Sequence, residues 1–360
     1  MTPHFHRLAI ADVRRETADS VSLAFAIPAP LSEAYRFLPG QNVTLKATLA
    51  GDEIRRCYSI CSGLDDGELR IAVKRQDGGV FSSFANDALK AGDAVEVMTP
   101  SGNFTSALDP GAQRLYLGIA AGSGITPLLS IIKTVLAREP HSRFFLLYGN
   151  RTTQSILFRG ALEDLKDRFL DRFALTHVLS REAQDVAALS GRIDAAKIAL
   201  FLRGAAPPER IDHAFVCGPA ALLDVAQQTL QSLGVAPERI HVERFTVAGE
   251  PAPRHAPVRA AAAAATDNVA EAEAVLDGIR HRFPVVADQS IIEAAEAAGL
   301  DLPYSCRGGM CCTCRARLVA GKVEMAHNYS LERWELEAGY VLTCQSRPTT
   351  PKVVLDYDQL

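Results

Sequence analysis

Ser305-Cys306-Arg307-Gly308-Gly309-Met310-Cys311-Cys312-Thr313-Cys314 is the stretch on which the reading of this chain turns. It gathers four of the eight cysteines, and Cys344 follows 30 residues after Cys314. With Cys312 set aside, the pattern is Cys306-x4-Cys311-x2-Cys314 and a distant Cys344. Four thiolates that converge on two metal ions need this shape, a tight loop giving three sulfurs and a remote strand the fourth. Zinc sites usually pair two short Cys-x2-4-Cys hooks, a different arrangement. Gly308 and Gly309 let the loop turn through positive φ, so that amide N–H groups face the sulfurs. Cys312 is out of register with the spacing and is read as a neighbour, not a ligand.

With AAEAAGLDLPY before it and LTCQSRP after it, the loop resembles the plant-type ferredoxins. The resemblance implies a β-grasp fold and a one-electron [2Fe–2S] cluster held by Cys306, Cys311, Cys314 and Cys344. Just upstream, Ser290-Ile-Ile-Glu293 is a capping box opening the amphipathic run IIEAAEAA, which Gly299 ends. Arg280–Val286 is strand-like. Residues 271–360 therefore form one unit. Residues 248–270 are low in complexity and rich in Ala and Pro; they read as a mobile linker, with a short helix in the alanine tract as the alternative.

An electron carrier needs a source, and the rest of the chain has the marks of one. Residues 1–106 hold strand-like runs (LAIADV, VSLAFAI, NVTLKATL, EIRRCYSI, ELRIAVKR, AVEVMTP) punctuated by turn residues, with one helix near FSSFANDALK. That pattern predicts a small antiparallel β-barrel. Arg56-Cys57-Tyr58-Ser59 resembles the R-x-Y-S motif of ferredoxin–NADP⁺ reductase-like flavoproteins. The resemblance implies bound FAD, with Arg56 on its pyrophosphate, Tyr58 stacked on the isoalloxazine and Ser59 near N5. Gly78-Gly79-Val80-Phe81-Ser82 opens the predicted helix, where backbone amides at Gly79 and Val80 and the Ser82 hydroxyl suit the FAD phosphates. Pro39-Gly40-Gln41 and Pro100–Phe104 read as turns that shape the barrel.

Residues 107–247 alternate strand-like runs (RLYLGIA, RFFLLYGN, FALTHVLS, DHAFVCG, IHVERF) with helical ones (LLSIIKTVLA, GALEDLKDRF, AALLDVAQQTLQSLG). Such βαβ rhythm predicts an α/β domain with a parallel sheet covered on both faces. Gly122-Ser123-Gly124-Ile125-Thr126-Pro127 forms a glycine-rich strand-to-helix turn, a phosphate-binding device. Cys217-Gly218-Pro219 ends another strand on the carboxyl edge where open α/β sheets bind ligands. By resemblance Cys217 lies near the nicotinamide; a buried strand cysteine is the alternative. Ser180-Arg181 stands where the family's NADP-binding members hold the 2′-phosphate, which favours NADPH over NADH. Ser59 and Cys217 are the catalytic candidates.

The net charge of −4 resides wholly in residues 271–360, where 13 acids face 9 Lys and Arg. No block is strongly basic, which argues against a nucleic-acid surface. No run reaches the roughly 18 apolar residues of a membrane span and no signal peptide is evident, so a cytoplasmic protein is expected. Flavin, nicotinamide and ferredoxin units in this order resemble the reductase components of multicomponent oxygenases. EAYRF-x-PGQ, RRCYSI, AAGSGITP, YGNR, RIDAAK, CGPA and NYSLE…EL-x-AGYVL-x-CQ are similar to the reductases of phenylacetyl-CoA epoxidases. The resemblance implies a relay from NADPH through FAD and the cluster to a di-iron oxygenase in phenylacetate degradation. Service to an aromatic-ring dioxygenase or soluble di-iron monooxygenase is the alternative. Arg307, Arg315 and Arg317 surround the cysteine loop and either face an acidic patch on that partner or form a solvated or internally paired face.

Overall fold

The computed structural model describes residues 3–205, 207–245 and 269–359. Six antiparallel strands come first: β1 (Phe5–Thr17), β2 (Ser20–Ala26), β3 (Asn42–Leu49), β4 (Asp52–Ser59), β5 (Leu69–Lys74) and β6 (Ala94–Met98), with α1 (Val80–Asp87) between the last two. They hydrogen-bond in the order β4-β3-β6-β1-β2-β5. The two edge strands meet through a bridge from Ile60 to Ile71 and the bond from Cys61 N to Arg70 O at 2.8 Å. A barrel closed in this way leaves no open edge. Register shifts in β1 between Ile10 and Asp12 and between Arg15 and Thr17 bend that long strand around the barrel. Leu8, Leu23, Val43, Leu45, Ile71 and Val97 fill the interior.

The second unit contains β7 (Leu115–Ala121), α2 (Ile125–Arg138), β8 (Arg143–Asn150), α3 (Arg159–Arg168), β9 (Phe173–Leu179), α4 (Ala195–Ala205), β10 (His213–Gly218), α5 (Ala220–Ser232) and β11 (Ile240–Arg244). Its strands are all parallel, in the order β11-β10-β7-β8-β9. The chain runs outward from β7 on one side and from β10 on the other. A crevice therefore opens between the carboxyl ends of β7 and β10. Helix α4 was not anticipated, although Asp194 caps it through the bond from Lys197 N at 2.9 Å, and Ile198 and Leu202 are buried along one face.

The third unit holds β12 (Ala270–Leu276), β13 (Ile279–Val285), α6 (Ile291–Ala297), β14 (Arg315–Ala320), β15 (Val323–Met325), α7 (Arg333–Glu337), β16 (Tyr340–Leu342), β17 (Ser346–Pro348) and β18 (Lys352–Asp356). Its mixed sheet runs β13-β12-β18-β14-β16, with β12 and β18 parallel. The capping box opens α6 as expected: Ser290 Oγ accepts from Glu293 N, and Glu293 Oε2 accepts from Ser290 N at 2.8 Å. Gly299 follows with φ 76°. The segment 248–270, read as a linker, lies outside the described residues except for Val269 and Ala270, and Ala270 opens β12. Among the described residues no helix is long and apolar enough to cross a membrane.

Candidate functional site

Cys306, Cys311, Cys314 and Cys344 converge at the end of the third unit that faces the barrel. Cys306 lies beside Cys311 and Cys314 beside Cys344, and the two pairs are close enough to influence one another. Among the described residues no group of three or more such side chains stands at single-ion geometry. Two facing pairs would suit a two-iron site, with two thiolates to each iron. Neighbouring thiols, and after them burial, push Cys306, Cys311 and Cys314 above the ordinary range, and cationic iron is what offsets such a cost. The amides of Gly308 and Met310 donate to Cys306 Sγ, both at 3.4 Å, and Gln345 Nε2 donates to Cys344 Sγ at 3.7 Å. Ser305 Oγ is buried beside the site without a partner. The residues therefore fit the cluster. One backbone detail differs from expectation: Gly309 has φ 75°, but the other left-handed residue of the turn is Arg307, at 53°, and not Gly308. Cys312, also left-handed at 56°, turns its buried thiol away to donate to Asn103 Oδ1 of the barrel at 3.8 Å.

On the barrel, β4 presents the flavin motif. Arg56 is exposed and donates to the Arg55 carbonyl at 2.8 Å, while half-buried Tyr58 leans on Phe81 with ring centroids 5.7 Å apart. Gly78 turns with φ 71° and Gly79 caps α1, but the Gly79 amide, expected to face the FAD phosphates, instead donates to Gln76 O at 3.0 Å and closes the turn. The first-turn amides of Val80 and Phe81 have no carbonyl within the helix to reach. Ser82 behaves otherwise than anticipated. Its hydroxyl donates to Gly79 O at 3.1 Å and accepts from Gln76 N at 3.0 Å, so it braces the loop from beneath.

At the crevice of the parallel sheet, the Gly122–Gly124 turn packs directly against the end of β10. A Cβ on Gly124 would stand 2.2 Å from the Cys217 carbonyl oxygen, so only glycine permits this approach. Gly122 has φ 54° and open space around it. Tyr148 donates to the Gly122 carbonyl at 2.9 Å and Thr126 to that of Ser123 at 3.0 Å, which fixes the turn. Thr126 is thus a brace, while Ser123 stays partly exposed. Pro219 caps α5, and a Cβ on Gly218 would meet Leu222 and Ala121 within 3.3 Å. At the neighbouring strand ends, Asn150 Nδ2 is buried without a partner. Ser180 and Arg181 are exposed, their amides bonded to the carbonyls of Asn150 and Arg151. An unpaired buried donor and an exposed guanidinium beside an open glycine turn suit a phosphorylated nucleotide.

One residue that motif reading missed joins the barrel to the sheet. Glu243 lies beside Cys217 in register, and its Oε2 accepts from Ser59 Oγ at 3.1 Å and Cys217 Sγ at 3.9 Å. Desolvation pushes the Glu243 carboxyl up to about 8 and the Cys217 thiol well above its usual value. The signal available was an acidic residue inside IHVERF, a strand that should otherwise be apolar. Glu243 also borders a cavity of about 250 Å³, shared by all three units and lined by Asn103, His241, Cys311 and Ser330. That space admits a ring system and is too small for a whole dinucleotide. Of the arginines flanking the cysteine loop, Arg307 pairs with Glu296, Arg315 with buried Glu335, and Arg317 with Gln359. They are internally partnered.

Three family models match the chain: an oxidoreductase FAD-binding domain over residues 7–106, an oxidoreductase NAD-binding domain over 119–228 and a 2Fe-2S iron-sulfur cluster binding domain over 274–349. FAD, NAD(P)H and a [2Fe–2S] cluster are accordingly its cofactors. The chain is 46% identical to a component of the 1,2-phenylacetyl-CoA epoxidase of Escherichia coli (strain K12), over 98% of each chain. It is 34% identical to the 3-ketosteroid-9-alpha-monooxygenase ferredoxin reductase component of Rhodococcus rhodochrous, over 99% of this chain and 98% of the other. Among solved structures, phthalate dioxygenase reductase, described as a modular structure for electron transfer from pyridine nucleotides to [2Fe–2S], aligns with 98% of each chain at TM-score 0.57 and 26% identity.

Proposed function

The chain belongs to the family of flavin and iron–sulfur reductases that includes this 1,2-phenylacetyl-CoA epoxidase component, and from that membership we propose that it delivers electrons from NADPH to a di-iron phenylacetyl-CoA epoxidase. The likeness carries this assignment because it runs end to end and not unit by unit.

Arg56 and the amides of Val80 and Phe81 would hold the FAD diphosphate, and Tyr58 its ring. Gly122–Gly124, Asn150 and Pro219 would hold the nicotinamide nucleotide. Cys306, Cys311, Cys314 and Cys344 would hold the cluster. The chemistry these groups supply when bound is two-electron uptake from a hydride and its release in single electrons. Glu243 keeps a proton near neutrality while its Oε2 accepts from Ser59 Oγ, which ties the flavin motif of the barrel to the crevice of the parallel sheet. Cys217 closes the far side of that group and excludes water from the crevice. Arg181, exposed with no side-chain partner among the described residues, supports NADPH, since a free guanidinium matches a phosphate monoester. Reliance on NADPH also supports a cytoplasmic site of action.

Reconstitution tests the assignment. The holoenzyme, showing flavin and iron–sulfur absorbance bleached by NADPH, is mixed with the oxygenase component of the epoxidase and phenylacetyl-CoA. Oxidation of the thioester coupled to NADPH consumption is the expected result. Coupling only to a ring-hydroxylating dioxygenase or another di-iron monooxygenase would overturn it.

A further inference from the structure

Strand β4 carries the flavin motif on one face and a seat for the third unit on the other. Arg56 and Tyr58 pair in register with Leu45 and Val43, which fill the barrel interior. Side chains alternate along a strand, so Arg55 and its register partner Lys46 lie on the outer face with Thr44. Outward residues of a barrel meet solvent unless something covers them, yet Arg55 and Thr44 are buried. The third unit covers them. Thr44 Oγ1 stands 3.4 Å from Thr313 Oγ1 of the cysteine loop, and Asn103 of the barrel donates through Nδ2 to Ser330 O at 2.8 Å.

The Arg55 guanidinium is held from both units. Its Nε donates to Glu53 of its own strand at 2.9 Å, and its Nη2 to Asp301 of the third unit at 2.6 Å. Its carbon lies 4.2 Å from the centre of the Tyr304 ring, and that of Arg307 lies 4.3 Å from the same ring. Tyr304 and Arg307 flank Cys306, so the stack runs from the flavin strand to the root of the cysteine loop. The Arg307 carbonyl in turn accepts from Gln345 Nε2 at 2.7 Å, next to Cys344.

This arrangement is a poor way to gain stability. Arg55 Nη1 is buried with no partner, and an apolar side chain of similar size would be at least as stable in its place. What a buried guanidinium adds is register. Its carboxylate pair and flat stack are satisfied together in one arrangement only, whereas an apolar contact can slide. The rest of the seam has the same polarity. His4 pairs with Asp277 at 3.0 Å, His241 with Glu332 at 3.6 Å, and Arg244 lies 5.1 Å from the Tyr329 ring. In each of these the basic side chain comes from the first two units and the acid or ring from the third.

We propose that Arg55 is a positioning residue for internal electron delivery: it fixes the cysteine loop in one register against the strand that carries the flavin motif. This deepens the reductase assignment and rests on it. Arg55 itself gains and loses nothing; one electron passes from reduced flavin to oxidised cluster, at a rate that falls steeply as the two are misplaced.

The test uses the full-length holoenzyme. Flavin and [2Fe–2S] absorbance of the wild type are recorded first, since their absence defeats the reductase assignment and not this inference. R55M, D301N and the double variant are then followed in stopped-flow traces of flavin and cluster bleaching by NADPH. R55M is expected to keep the thermal midpoint and the flavin phase of the wild type and to slow the cluster phase about tenfold. D301N should slow that phase less, and the double variant no more than R55M, because both residues act through one pair. Amide hydrogen exchange without nucleotide gives a reading independent of turnover: residues 301–307 should exchange faster in R55M, with the rest of the third unit unchanged. A wild-type cluster phase in R55M, equal slowing of both phases, additive slowing in the double variant or unchanged exchange overturns the inference. Where R55M fails to retain its cofactors, D301N decides, since the Asp301 side chain is 62% exposed. A slowed cluster phase is then expected, and a wild-type one overturns the inference.

Discussion

The cysteine loop and the Ser59–Cys217–Glu243 group would stand at the two ends of the proposed electron path, yet they are built in opposite ways. The loop takes three of its four ligands from nine consecutive positions, and its backbone amides serve their sulfurs locally. The second group brings together a barrel strand and two strands of the parallel sheet, with Ser59 and Glu243 184 residues apart. A local site survives as long as its turn survives. A composite site exists only when two domains meet in register, so it depends on packing that no short motif records.

The largest expected effect separates the two. Cys314→Ser or Cys344→Ser should abolish iron–sulfur absorbance completely while NADPH still bleaches the flavin; loss of both signals together would show that the ends are not independent. Next, Ser59→Ala should slow flavin reduction by NADPH about 10²-fold in stopped-flow traces, leaving cluster absorbance intact, because a positioned proton-sharing group is lost. A rate within a factor of two of wild type would remove Ser59 from the chemistry. A third, smaller effect sharpens the nucleotide end: Arg181→Ala should raise KM for NADPH about tenfold and leave KM for NADH unmoved, as the loss of one guanidinium–phosphate pair requires. Equal changes for both nucleotides would place Arg181 outside 2′-phosphate recognition.

The smallest effect is on stability against pH. Glu243 moves from an ordinary value of 4.5 to about 8 on folding. Between those values the folded chain keeps a proton that the unfolded chain has released. Stability is therefore full below 4.5, falls as pH rises, and levels off above about 8. Glu243→Gln should flatten this slope, by at most about 1.4 kcal/mol per pH unit, in denaturant titrations at pH 5 to 8. Parallel slopes in wild type and variant would contradict the burial of that carboxyl.

The same contrast explains what was legible in the sequence. Cysteine spacing, the Ser290–Glu293 capping box and the barrel strands are each set by neighbours within a few residues, and each is readable from them. Strand β12 is not. Its Ala and Glu residues favour helix intrinsically, and they form a strand because Ala272 and Ala274 are small enough to be buried between β13 and β18. Glu273 on the same strand is held by Arg280 and Arg282 from β13, a cross-strand pairing that local propensity ignores. Ser82 and Thr126 look like ligand-facing hydroxyls in the sequence and instead brace their turns, since each finds a backbone carbonyl three residues back. Arg307, Arg315 and Arg317 look like a docking rim, but Glu296, Glu335 and Gln359 reach them once the sheet forms.

Arg55 of the barrel and Arg307 of the ferredoxin unit both stack on Tyr304, their guanidinium carbons 4.2 and 4.3 Å from its ring. This contact, the Asp301 pair and the Asn103 bonds are mostly polar, and polar pairs at a surface each contribute little. What makes them sufficient is covalent continuity: within one chain the ferredoxin unit meets its seat at an effective concentration in the millimolar range. Severed and supplied in trans, the same unit would obey mass action, and turnover would become a saturable function of how much of it was added.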